Sequence, residues 1–237
     1  MVSAAGIRAS HATALAALLT LATGAVDAMT FLRLGGVFSS VMTGNIVVLG
    51  ASTARRDVAQ CEHAALAIAG FVAGTLAGSR LVGGANRHRP VWPQRVNLAL
   101  STELVLLLGM SVGWWLGGAR PAHVDQFVVL ALAASAMGVR SAAVRAVGVA
   151  NLSTTYLTGT LVGLVAELTT DNGVRWRAVL MLVALFVGSA SGGTLVIDAG
   201  QLAPVLPLGL LAVVLSVGLA LTRGGVAANG RCAAGGP

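Results

Sequence analysis

Val37-Phe38-Ser39-Ser40-Val41-Met42-Thr43-Gly44-Asn45-Ile46-Val47-Val48-Leu49-Gly50-Ala51-Ser52-Thr53-Ala54 is the stretch on which the fold turns. A membrane-crossing helix needs about 17–25 apolar residues, so this segment sits at the lower limit. It also carries Ser39, Ser40, Thr43, Gly44 and Asn45 where a span is ordinarily apolar. Seven further apolar segments flank it, at about 12–34, 61–83, 97–118, 126–147, 149–169, 176–198 and 203–222. Between them stand Arg55-Arg56-Asp57, Arg87-His88-Arg89-Pro90, Arg120-Pro121, Asp171-Asn172-Gly173 and Asp198. If Val37–Ala54 and its counterpart at 149–169 cross a bilayer, the chain has eight spans. If they enter and leave on one side, it has six.

The solvent itself follows from composition. The 237 residues are 56% hydrophobic and 10% charged, with mean hydropathy +0.86, against about 25% charged in a soluble domain. So little polar surface points to a bilayer, where helices satisfy every backbone group internally. The expectation is an all-α, polytopic membrane helix bundle, a single integral membrane domain over 1–237. Arg8 followed by an apolar run from Ala12 has the outline of a signal peptide, but the run continues to about Leu34 and reads as a first span.

Other functional classes lose ground on the same grounds. The net charge of +7 comes from fifteen Arg and no Lys against eight acids. These Arg lie between apolar runs, as topology signals do, and not on a basic face for nucleic acid. Cys61 and Cys232 form no CxxC, and His11, His63, His88 and His123 have no ligand spacing, so no disulfide framework, metal or cofactor is expected. No P-loop, HExxH, nucleophile–base pair or carboxylate dyad is visible, which argues against an enzyme.

Thr43-Gly44 recurs as Thr158-Gly159, an offset of 115, and at that offset Val47, Leu49 and Ala51 meet Val162, Leu164 and Ala166. Ala69, Phe71, Val72 and Gly78 likewise meet Ala184, Phe186, Val187 and Gly193. Two halves of about 12–118 and 126–222 result, with an Ala/Gly-rich tail at 223–237 read as disordered. With eight spans the inner loops hold Arg 8, 55, 56, 120, 175, 177, 223 and 231, and the outer side holds 33, 80, 87, 89, 95 and 145. With two re-entrant segments the inner side holds ten, at 8, 80, 87, 89, 95, 145, 175, 177, 223 and 231, and the outer only 33, 55, 56 and 120. The positive-inside tendency favours the second arrangement: six spans in two inverted 3+3 repeats with two short broken or re-entrant segments, a common transporter plan.

Asp27-Ala28, Phe31-Leu32, Gly35-Gly-Val-Phe38 and Met42-Thr43-Gly44-Asn45, with Thr154-Thr155-x-x-Thr158-Gly159-Thr160 in the second half, resemble the YoaK family of small bacterial membrane proteins. The resemblance covers nearly the whole chain in segment count and length. It implies a multi-pass protein of the bacterial plasma (inner) membrane with six spans and no established activity. The family pattern has Gln-Asn following Met137-Gly138, where this chain has Arg140-Ser141.

Thr43-Gly44-Asn45 interrupts an apolar run, where Gly weakens a helix by about 1 kcal/mol against Ala. Asn45 is a good N-cap for a helix starting at Ile46, and Thr158-Gly159-Thr160 offers the same break with Thr160 as cap. Two such broken helices would present unpaired N–H groups near the bilayer centre, a setting for a polar or anionic solute. The alternative is that small residues only let helices pack closely. Asp27 and Arg140 are charges within spans and hence candidates for function, or for an ion pair that locks the halves. Along their helices they differ in height by about 11 Å, so direct pairing would need tilt or the reach of Arg140, whereas a shared cavity would not. Glu103, near the start of the fourth segment, reads as interfacial. The GxxxG pattern of Gly70, Gly74 and Gly78, echoed by Gly188 and Gly192, reads as helix packing.

The sequence therefore points to a small transporter or channel-like permease. Its solute-binding candidates are Asp27, Thr43, Gly44, Asn45, Arg140, Thr155, Thr158, Gly159 and Thr160. Its partners would be the lipid bilayer and a small polar or anionic solute, with homo-oligomerisation open and nucleic acid excluded. A non-transporting scaffold or stress-associated interaction protein is the competing reading.

Overall fold

Aliphatic runs broken only by Gly and hydroxyl side chains become helices in the computed structural model, which describes residues 4–83, 94–119, 123–147, 159, 161–163, 165 and 175–233. The elements are α1 (Ala4–Arg33), α2 (Met42–Arg55), α3 (Val58–Val82), α4 (Gln94–Leu116), α5 (His123–Val147), α6 (Trp176–Asp198) and α7 (Val205–Ala233), with a 3₁₀ turn at Gly200–Leu202. Among the described residues six helices are long and apolar enough to cross a membrane: α1, α3, α4, α5, α6 and α7. The region after Arg223, expected to be disordered, continues α7 as helix to Ala233, in keeping with the helix propensity of its alanines. Gly159, 161–163 and Val165 are helical, whereas Thr155, Thr158 and Thr160 lie outside the described residues.

α2 does not carry the chain across. Its fourteen residues rise about 21 Å, short of a hydrocarbon core of about 30 Å. More decisive is where its neighbours sit. Gln60, in the first turn of α3, donates its side-chain N–H to the Gly35 carbonyl just beyond α1 (2.8 Å), so α3 starts where α1 ends. Between them the chain turns back along α1 through Gly35 and Gly36, whose φ of 85° and 65° suit glycine. A Cβ on Gly35 would strike the His63 ring. α2 then climbs out, closes on Arg56 in the left-handed region, and α3 begins with Asp57 accepting from the Gln60 amide (3.1 Å). The short, polar segment that opened the sequence reading is re-entrant.

Contacts at the helix ends place the rest. His63 faces Gln126 (3.3 Å) and stacks on Phe127, Arg33 donates to the Val196 carbonyl (3.3 Å), and Trp114 Nε1 donates to the Gly200 carbonyl (2.8 Å). The C-terminal ends of α1, α4 and α6 thus gather with the N-terminal ends of α3, α5 and α7. At the opposite end Asn97 donates to Thr222 Oγ1 (3.4 Å), joining the start of α4 to α7. α1 and α5 form the centre: 67% of each span is buried, against 22% for α3 and 28% for α6 and α7.

The glycines decide which helices are neighbours. Gly74 and Gly78 bring α3 so close to α5 that a Cβ would meet the backbone of Ser135 and Val139. Gly188 and Gly192 bring α6 onto the backbone of Leu21 and Ala25 on α1 in the same way. In return Gly24 meets Leu185 and Ser189, while Gly138 meets Phe71 and Thr75. Every residue in one of these contacts has its counterpart in the other at a sequence separation of 114, as for Gly74 and Gly188, Ser135 and Leu21, or Gly24 and Gly138. Packing therefore pairs Gly78 with Gly192 and not with Gly193, because the contacting glycine, and not the best run of identities, sets the register. Each tight pair takes one helix from each half, α1 with α6 and α3 with α5.

Candidate functional site

Three charged side chains lie in the core among the described residues: Asp27 (5% exposed), Glu103 (0%) and Arg140 (1%). Asp27 sits on α1 two turns before its end, at the level to which the returning loop descends. Its Oδ1 accepts from the Ser39 amide (2.8 Å), the Ser39 hydroxyl (2.7 Å) and the Ser40 amide (2.9 Å), and its Oδ2 from the Ser40 hydroxyl (2.5 Å). Four donors from one short loop are what an acceptor-only carboxylate requires when water is absent.

Asn45 fastens the other side of the same loop. Its Oδ1 accepts from the Phe38 amide (2.9 Å) and its Nδ2 donates to the Phe38 carbonyl (2.6 Å). The side-chain amide thereby pairs with a backbone unit as a neighbouring strand would. Phe38 in turn stacks on Phe31 of α1, with ring centroids 5.0 Å apart. The expected helix start at Ile46 is corrected: α2 begins at Met42 and Asn45 lies in its first turn, reaching back to the loop rather than capping the helix. Val41, at the N-cap position, makes no side-chain hydrogen bond, so the α2 N-terminus is left without a side-chain cap. Thr43 there is exposed and Gly44 half-buried beside Phe38. In the second half Gly159 is helical and exposed.

Arg140 on α5 does not join Asp27. Its Nε donates to Glu103 Oε1 (2.7 Å), Nη2 donates to the same oxygen, and Nη1 donates to the Leu19 carbonyl (2.8 Å) and Thr23 Oγ1 (2.9 Å). Arg140 therefore ties α5 to α4 and α1 at once. Thr23 and Asp27 are four residues apart on α1, a rise of about 6 Å. The two expected partners thus occupy adjacent levels of one polar stripe without sharing a hydrogen-bonding group. The stripe includes Thr20, Thr23 and Thr30, whose hydroxyls donate to α1 carbonyls three or four residues back.

Glu103 is the residue that sequence reading misplaced. Judged from an apolar segment starting near 97 it looked interfacial. α4 in fact begins at Gln94, which sets Glu103 about 14 Å along the helix, facing α5. The signal was available in Arg140, since a guanidinium within a span needs an acid and Glu103 lies in the adjoining segment. Glu103 Oε2 is buried with no hydrogen-bond partner. Ser39 and Ser40 were seen only as polar interruptions, because a loop doubling back onto Asp27 leaves no periodic trace. Among the described residues no three His, Cys, Asp or Glu gather as a metal-binding set.

A family model described as "Protein of unknown function (DUF1275)" matches residues 15–217. Among curated proteins the chain is similar to "UPF0700 transmembrane protein YoaK" of Bacillus subtilis (strain 168), 32% identical over 160 residues, covering 68% of each chain. No solved structure matches.

Proposed function

Since the chain belongs to the DUF1275 family of multi-pass membrane proteins, whose description assigns no activity, we propose that it is a permease, a transporter or channel-like protein, for a small polar or anionic solute, and not an enzyme. The observation that carries this is the re-entrant α2. A helix N-terminus stands inside the membrane-spanning part of the bundle, without a side-chain cap and with Thr43 exposed, and the chain invests Asp27 and Asn45 in holding it there. Irregular backbone at such depth is tolerated where it is enclosed by protein or lines a watery cavity, and helix N-termini there face anionic groups.

We further read the chain as two inverted halves, in keeping with the same proposal. The reciprocal glycine contacts relate α1 to α5 and α3 to α6, and the gathering of helix ends makes α1 and α5 run in opposite directions. With the end that carries Arg80, Arg95, Arg145, Arg175 and Arg177 placed in the cytoplasm, the chain obeys the positive-inside tendency in a bacterial plasma membrane. Homo-oligomerisation is left open, and no nucleic-acid partner is proposed.

The test is stopped-flow light scattering of proteoliposomes challenged with chloride, formate, urea and glycerol. The expected result is a protein-dependent rate for at least one solute that falls with Thr43→Val and Asn45→Ala in protein that inserts normally. Rates equal to those of empty vesicles for every solute, or rates untouched by both substitutions, would remove the proposal. A second reading has its own observation: Asp27 and Asn45 have their polar atoms engaged within the chain, as a non-transporting scaffold would require. Under it Asp27→Asn and Asn45→Ala lower thermal stability in detergent and leave vesicle rates alone.

A further inference from the structure

Two carboxylates and one guanidinium occupy the core among the described residues, Asp27, Glu103 and Arg140. Fully ionised, they leave one excess negative charge in the core, and an isolated buried charge is among the costliest arrangements a protein can hold. Among the described residues the groups around Glu103 supply no second cation. α5 contributes Arg140, and α1 contributes Thr23 with Asp27 one turn beyond. α3 carries charge or a titratable ring only near its ends, at Glu62, His63 and Arg80, and α7 carries none between Val205 and Thr222. His63 is buried, yet it lies against Gln126 and Phe127 at the end of the bundle remote from Glu103.

The hydrogen bonds say which carboxyl can carry the balancing proton. Three of the donors to Asp27, two of them backbone amides that cannot accept, fill Oδ1, so a proton there could sit only on Oδ2 and would have to reverse the Ser40 hydroxyl bond. Glu103 differs. Both Arg140 contacts fall on Oε1, and Oε2 is fully buried with no partner. A protonated Glu103 keeps Oε1 as acceptor for Arg140 and bears its hydrogen on the unused oxygen.

We propose that Glu103 Oε2 is a proton-binding position in the membrane core, loaded by a proton taken from water, with the Arg140 charge then balanced by the Asp27 carboxylate. Nothing is oxidised or reduced; the carboxylate becomes a carboxylic acid and releases the same proton on unloading. The site deepens the permease reading, for which it supplies a coupling ion, and its test reads the carboxyl itself and no flux, so either can fail alone.

The experiment is infrared difference spectroscopy of the full-length protein in liposomes, taken between acid and alkaline pH, following the carbonyl stretch of a protonated carboxylic acid. The expected result is a titrating band that shifts in Glu103→Asp, vanishes in Glu103→Gln and moves to more acid pH in Asp27→Asn, where Glu103 alone is left to balance Arg140. Glu103→Gln should also keep near-native thermal stability, because the carboxamide imitates the protonated acid and leaves Arg140 and Asp27 electrically matched. Should Glu103→Gln fail to insert, Glu103→Asp decides, since an unshifted band places the proton elsewhere. A band that survives Glu103→Gln, one that is lost only in Asp27→Asn, or no titrating band at all overturns the proposal.

Discussion

Asp27 and Glu103 are both acids buried in the bundle, the first met by Ser39 and Ser40 and the second by Arg140 alone. The difference lies in how many of their lone pairs are used. Asp27 takes donors on both oxygens, all from Ser39 and Ser40. Glu103 takes two on Oε1 and none on Oε2. A saturated carboxylate holds a piece of backbone in place, whereas a half-used one keeps a position open. Burial alone therefore does not distinguish the two acids; the distribution of their hydrogen bonds does.

The comparison breaks most visibly at Arg140. Arg140→Met strands Glu103 opposite an apolar side chain with Asp27 close by, and a loss of about 3–5 kcal/mol is expected, read as a lowered unfolding midpoint in detergent. If Glu103→Gln added to it restores little, the cost is lost packing and not stranded charge. Asp27→Ala should cost about 3 kcal/mol by leaving the Ser39 and Ser40 amides unsatisfied, and it should release the loop. A cysteine at exposed Val41, in a background lacking Cys61 and Cys232, would then react faster with a maleimide. An unchanged rate would mean that Asn45 and the Phe31–Phe38 stack hold the loop unaided. Smallest is the frame around both sites: Gly74→Ala and Gly188→Ala each force a Cβ against backbone and should cost about 1–3 kcal/mol. Thermal melts of the two variants should agree, and a marked inequality would show that the two tight helix pairs are not equivalent.

Much of this was legible beforehand, for identifiable reasons. Long apolar runs name their helices because hydrocarbon leaves the backbone no other partner, and the length and polarity of Val37–Ala54 marked it as not crossing. Asp27 and Arg140 announced themselves as charges inside spans. Their partners did not, because Ser39 and Ser40 reach Asp27 only through a chain reversal at Gly35-Gly36, and Glu103 reaches Arg140 only once α4 starts at Gln94.

What the sequence determined by itself, then, is the solvent, the helices and the two intramembrane charges, all consequences of local composition and length. Which helices touch and which oxygen stays empty were decided by tertiary structure alone. Glycine lets backbones approach without naming the neighbour. A carboxylate's partners depend on where distant segments arrive in space, and no run of neighbouring residues records that.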